Sequence, residues 1–128
     1  MTFIEMVQVT PPGKPSPTIV VPSEKISFAF KKTFEPHCTV GIGDIFAPCS
    51  FDFARVSKVL VEDEGFISFD VPDGGGKCVV NPDRINFYMP MEIGIFSLMF
   101  NGRSAITVRA TTEQIQKSIN HEPLIDIS

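Results

Sequence analysis

Apolar side chains in this chain recur at every second position in short runs, and turn-forming residues separate the runs. That spacing is the signature of strands with one buried face. Residues 3–9 and Ile19-Val20-Val21, stopped by Pro22, read as two early strands. Ile26, Phe28 and Phe30 alternate with Ser27, Ala29 and Lys31, which predicts a third strand with the apolar trio inside. Gly41 and Gly43 frame a turn, and Asp44-Ile45-Phe46-Ala47 opens another extended piece.

The middle of the chain reads as a hairpin over 55–71. Val56, Val59 and Val61 precede the polar loop Glu62-Asp63-Glu64-Gly65, and Ile67, Phe69 and Val71 follow it. Ser50 offers a competing cap for a helix over 51–60, but the β-branched valines favour a strand in its second half. Cys78-Val79-Val80 and Ile85-Asn86-Phe87-Tyr88 are two further short strands. Ile93 to Phe100 then runs into Asn101-Gly102, and Arg103 to Arg109 runs out. Asn-Gly is a strong hairpin signal, because the tight type I′ turn needs positive φ at both positions. Phe96, Leu98 and Phe100 should share a face, as should Ser104, Ile106 and Val108. From Thr111 the period changes. Thr111 with Gln114 forms a capping-box pattern, and Ile115 and Ile119 stand one helical turn apart. Pro123 ends that helix, and Leu124, Ile125 and Ile127 make an apolar tail.

The expected fold is mainly β: a small barrel of the SH3-like or OB-like kind, or a β-sandwich. It holds about eight short antiparallel strands and one short C-terminal helix. Residues 1–24 read as an N-terminal strand with a proline-rich arm. Residues 25–128 read as a single β domain, with its helix near 111–120. The stretch 41–71 resembles the start of an SH3-like barrel, a Gly-Asp turn, a strand and then a hairpin. The resemblance implies architecture only.

Composition adjusts this picture in two ways. There are 12 Phe against one Tyr (Tyr88) and no Trp, a bias that suits dry interiors better than wet recognition surfaces. The formal net charge is −4, which weighs against phosphate binding unless basic residues cluster locally. No run of about 18 apolar residues exists, so no membrane span is expected, and the first residues lack a secretory pattern. A cytoplasmic placement follows by default.

Candidate chemistry is sparse. Three cysteines, Cys38, Cys49 and Cys78, and two histidines, His37 and His121, lack the close-spaced ligand pairs of a zinc site. Buried reduced thiols are the expected outcome. Asp73-Gly74-Gly75-Gly76-Lys77 lacks the Ser or Thr of a phosphate loop and leads into a strand, so it reads as a turn. Glu62-Asp63-Glu64 reads as a solvated hairpin tip rather than a cation site. No catalytic, cofactor or metal-binding residue is assigned, and an enzyme is not favoured.

Three functions compete. The favoured expectation is a non-catalytic protein-interaction module that self-associates, most simply as a dimer. Its contact candidates are Leu124, Ile125 and Ile127 in the tail, with Pro12 and Pro15 at PxxP spacing in the arm. The alternative is a barrel binding single-stranded nucleic acid through Arg103, Arg109, Lys31 and Lys32, with Tyr88 as a stacking side chain. The third is an apolar small-molecule binder lined by Phe and by Met89, Met91 and Met99.

Overall fold

A computed structural model describes residues 2–43, 45–72, 75–101 and 104–119. The chain is mainly β, as the alternation predicts, and the described residues form ten antiparallel strands in one sheet and two short helices. In chain order the strands are β1 (Phe3–Gln8), β2 (Thr18–Pro22), β3 (Ile26–Lys31), β4 (Cys38–Ile42) and β5 (Ile45–Ser50). After helix α1 (Phe53–Glu64) come β6 (Ile67–Asp70), β7 (Lys77–Val80), β8 (Phe87–Glu92), β9 (Ile95–Met99) and β10 (Ala105–Arg109), then helix α2 (Thr112–Ser118). The spatial order is β2-β1-β5-β4-β3-β7-β6-β10-β9-β8. β2 and β8 are end strands that do not pair with each other, so the sheet stays open and no barrel closes.

The expected hairpin at 55–71 is replaced by a helix in its first half. Asp52, not Ser50, is the cap: its side chain accepts from the Arg55 amide at 3.1 Å. Phe53, Val56 and Leu60 fall on one helical face and pack with Ile4, Met6, Ala29, Val40 and Val79. Gly65 ends the helix at φ 76°, and the Phe66 amide closes the turn on the Leu60 carbonyl at 2.9 Å. Three valines favoured the strand, but the cap, the stop and the 53/56/60 spacing agree with one another and outweigh local propensity. With the hairpin goes the SH3-like resemblance of 41–71. The acidic trio moves from a hairpin tip to the last turn of α1.

β3 also departs from expectation, since both of its faces are covered. Phe28 belongs to a cluster with Val80, Phe69, Leu98, Val108 and the α2 residue Ile115. Ala29 faces the other way, into the cluster under α1. Ile26 joins Ala29 rather than Phe28, because the ladder to β4 shifts register between Ile26 and Phe28. Buried on both sides, this central strand separates two cores.

The last hairpin and the last helix follow the sequence closely. Leu98 pairs with Ile106 and Phe96 with Val108, all buried. At the end of the hairpin the Phe100 amide donates to the Ser104 carbonyl at 2.8 Å. The Thr111 hydroxyl caps α2 by accepting from the Gln114 amide at 3.0 Å.

Candidate nucleic-acid interface

Strand pairing brings residues far apart in sequence into one lateral row. Lys31 is opposite Lys77, Lys77 opposite Asp70, and Asp70 opposite Arg109. Each is the terminal residue of its strand, so the row runs along one end of β3-β7-β6-β10. Alternation sets the direction of the side chains. Phe30, Cys78, Phe69 and Val108 point into the Phe28 core or pack against it, so their neighbours Lys31, Lys77, Asp70 and Arg109 all face the other side. Three inter-strand steps of about 4.8 Å put Lys31 and Arg109 roughly 14 Å apart. Lys77 forms an ion pair with Asp70, yet both remain largely in water, at 67% and 54% exposure. Such a pair holds little energy and leaves the lysine free to exchange partners. Lys32 continues the cationic end into the following loop, with Glu35 beyond it, and Glu92 extends the row past Ile95.

The other end of the same strands is acidic. Glu24, Glu64 and Asp83 line a recess of about 270 Å³ with Ser23, Phe66 and Asn81. Hydrogen bonding from Thr2, with a smaller one from Ser23, holds the Glu64 carboxyl below its ordinary range. Exposed Glu62 and Asp63 adjoin it on α1, while Lys25 and Arg84 offset part of the charge. The two ends are separated by the length of β3, roughly 17 Å. The net charge of −4 is therefore an average over a polarised surface, and the argument from total charge against nucleic acid loses its force.

Of the residues expected to bind nucleic acid, Lys31, Lys32 and Arg109 gather at this end. Arg103 lies outside the described residues. Tyr88 sits on β8 and turns inward, its ring edge-on to Phe96 with centroids 5.9 Å apart. It therefore shares neither face nor strand with the row. Lys77 was missed, having been read only as the end of a glycine-rich turn. So was Phe34, which stands 92% exposed three residues past Lys31. Its signal was the step from alternation to Lys-Lys-Thr-Phe.

The remaining candidates lie elsewhere. Pro12 and Pro15 are exposed in the loop joining β1 to β2, where the Thr10 hydroxyl donates to the Pro15 carbonyl at 3.2 Å. Leu124, Ile125, Ile127 and His121 fall outside the described residues. Met89 and Met91 are 41% and 60% exposed on β8 and line no interior. A groove of about 590 Å³ between β1 and α1 contains none of the methionines expected in an apolar pocket. No set of three or more His, Cys, Asp or Glu suited to a metal occurs among the described residues. No helix among them is long and apolar enough to cross a membrane.

All three cysteines are free and buried, and Cys38 faces Cys49 across the β4–β5 ladder. Burial pushes the Cys78 thiol up to about 12 and the Cys38 thiol up to about 11, and raises Cys49 as well, from an ordinary 9.0. Such thiols are poor nucleophiles in the folded chain. The unfolded chain releases these protons near pH 9, whereas the folded chain holds them to about 11 or 12. The contribution is whole below pH 9 and is lost as pH climbs through the folded values. Urea midpoints measured from pH 8 to 11 should therefore fall above pH 9. A Cys78→Ala variant should show a shallower fall; an identical one would contradict the assignment.

No family model matches the chain, and no curated protein matches it. Among solved structures, the chain is similar in fold to the LytTr DNA-binding domain of a methyl-accepting/DNA response regulator from Bacillus cereus. The TM-score is 0.57 and the identity 17%, over 88% of this chain and 94% of that one. This finding overturns the favoured expectation of a self-associating protein-interaction module: the domain that shares the fold is a DNA-binding one, and the nucleic-acid alternative is the reading it backs.

Proposed function

We propose that this chain is a DNA-binding domain that grips the phosphate backbone with Lys31, Lys77 and Arg109. The observation that carries the reading is their placement in one row on one face, with Asp70 between Lys77 and Arg109, at the end of the sheet opposite the Glu24, Glu64 and Asp83 recess. A row of roughly 14 Å is comparable with the major groove of a duplex, about 12 Å wide, so cations at its two ends reach phosphates on opposite sides. The acidic end repels the duplex and fixes the orientation of approach. The fold shared with a DNA-binding domain supports the same reading, which also keeps the cytoplasmic placement. This replaces the single-strand barrel with an open sheet that meets duplex DNA by one edge of its strands.

The test is a titration of ¹⁵N-labelled protein with a mixed-sequence duplex of about 20 base pairs at low salt. Amide shifts should concentrate at Lys31–Thr33, Lys77 and Arg109, with Glu24, Glu64 and Asp83 unmoved. An unperturbed spectrum, or shifts confined to the acidic end, would defeat the proposal, since phosphate contacts are strongest at low salt.

A further inference from the structure

Phe34 is the most exposed phenyl ring in the chain. Its 92% exposure exceeds that of the other exposed rings, Phe3 at 64%, Phe87 at 54% and Phe46 at 49%. The ring stands in the turn that follows Lys31 and Lys32, at the cationic end of the sheet, where a partner can reach it.

The turn that carries the ring is held in place. The Glu35 amide donates to the Lys32 carbonyl at 3.2 Å, which closes a four-residue turn with Thr33 and Phe34 at its centre. Neither central residue has positive φ, so the turn is unstrained. Pro36 follows and restricts the exit. The base of the turn packs on the neighbouring glycine loop. A Cβ on Gly75 would lie 2.9 Å from the Thr33 hydroxyl, and one on Gly76 would lie 2.2 Å from the Lys31 carbonyl. Gly76 also has φ 105°, a conformation that side chains avoid. The ring is thus mounted on a braced tip, and seating it in a ligand orders little further chain.

We infer that Phe34 is an apolar wedge that enters the base stack, so that the preferred ligand is duplex DNA with an easily unstacked step. Lys31, three residues before the ring, supplies phosphate attraction that holds the duplex against it, and the phenyl supplies a surface on which an unstacked base can rest. Pyrimidine–purine steps such as TA and CA/TG open at the least cost, whereas A-tracts are stiff. The inference rests on the DNA-binding reading above.

The experiment compares wild type, Phe34→Ala and Phe34→Leu on two duplexes, one with a central TA step and one an A-tract, with 2-aminopurine beside the central step. Wild type should bind the TA duplex about tenfold more tightly than the A-tract and raise the 2-aminopurine emission. Phe34→Ala should lose both the preference and the emission change while keeping the wild-type affinity for the A-tract. Phe34→Leu, still a wedge but not a stacking surface, should retain part of each. If Phe34→Ala matches wild type on both duplexes, the wedge is refuted and the DNA-binding reading stands; a ring reserved for a protein partner would give this result. Should no protein bind either duplex at low salt, both readings fall together.

Discussion

Replacing Lys31, Lys77 and Arg109 together by alanine should weaken duplex binding about a hundredfold at about 0.15 M salt and leave the fold intact. The magnitude follows from counterion release. Each phosphate neutralised contributes about 0.9 to the slope of log affinity against log salt, or roughly fivefold at about 0.15 M, and three such contacts compound to about a hundredfold. The fold should survive because Lys77 and Arg109 end their strands in solvent and Lys31 is only half-buried. The one ion pair lost, Lys77 with Asp70, is largely exposed and worth little. A control removing Lys25 and Lys117, both exposed and away from the row, changes the net charge in the same direction and should barely affect binding. Fluorescence anisotropy with a labelled duplex measures all three proteins. Losses in log affinity proportional to the charges removed, three in the variant against two in the control, would mean that only total charge matters, and the row would have no special role.

The largest effect on stability is expected from Phe28→Ala. Its ring is fully buried, with centroids 5.1 Å from Phe100, 5.5 Å from Phe46 and 6.1 Å from Phe30. Gly41 lies directly over it, so close that a Cβ there would sit 2.6 Å from the ring. Neighbours this tightly placed on a two-sided strand have little freedom to collapse into the space left behind. Truncation should cost about 3–5 kcal/mol, which for a domain with roughly 5–15 kcal/mol of total stability is a large fraction. Urea unfolding at pH 7 should show a much lower midpoint with an unchanged slope. A loss below about 1 kcal/mol would mean that the cluster repacks and that Phe28 is not its centre.

Sequence pattern alone made the end of the domain legible, because there one local signal decided each element. Phe96 and Leu98 alternate on one side of the Asn101 turn, Ile106 and Val108 on the other, and no competing period disturbs them. Thr111 and Gln114 mark the start of α2 in the same unambiguous way. The segment 53–64 was harder, since Val56, Val59 and Val61 pull toward a strand while Asp52, Gly65 and the 53/56/60 spacing pull toward a helix. β3 misled differently. Alternation describes a strand covered on one side, and nothing local announces that Ala29 will meet α1 or that a register shift will turn Ile26 to join it. Whether the sheet closes into a barrel was left open for a similar reason: whether β2 ever meets β8 depends on the accumulated twist and order of the strands, which no single segment encodes.

The interface was legible only in fragments. Lys31, Lys32 and Arg109 could be named as cations on strand ends, but their meeting depends on the register of β3 with β7, of β7 with β6, and of β6 with β10. Lys77 lies at the centre of that register and looked like part of a turn. The total charge was uninformative about this end, because it sums two ends that the fold keeps apart.

The salt dependence of duplex affinity, taken side by side for wild type and the Lys31/Lys77/Arg109 alanine variant, tests the central claim most directly. Wild type should give a slope of log affinity against log salt of about −3, and the variant a slope near zero, since each cation on a phosphate accounts for about one unit. Identical slopes in the two proteins would contradict the account, because the binding would then owe nothing to the row that the sheet assembles.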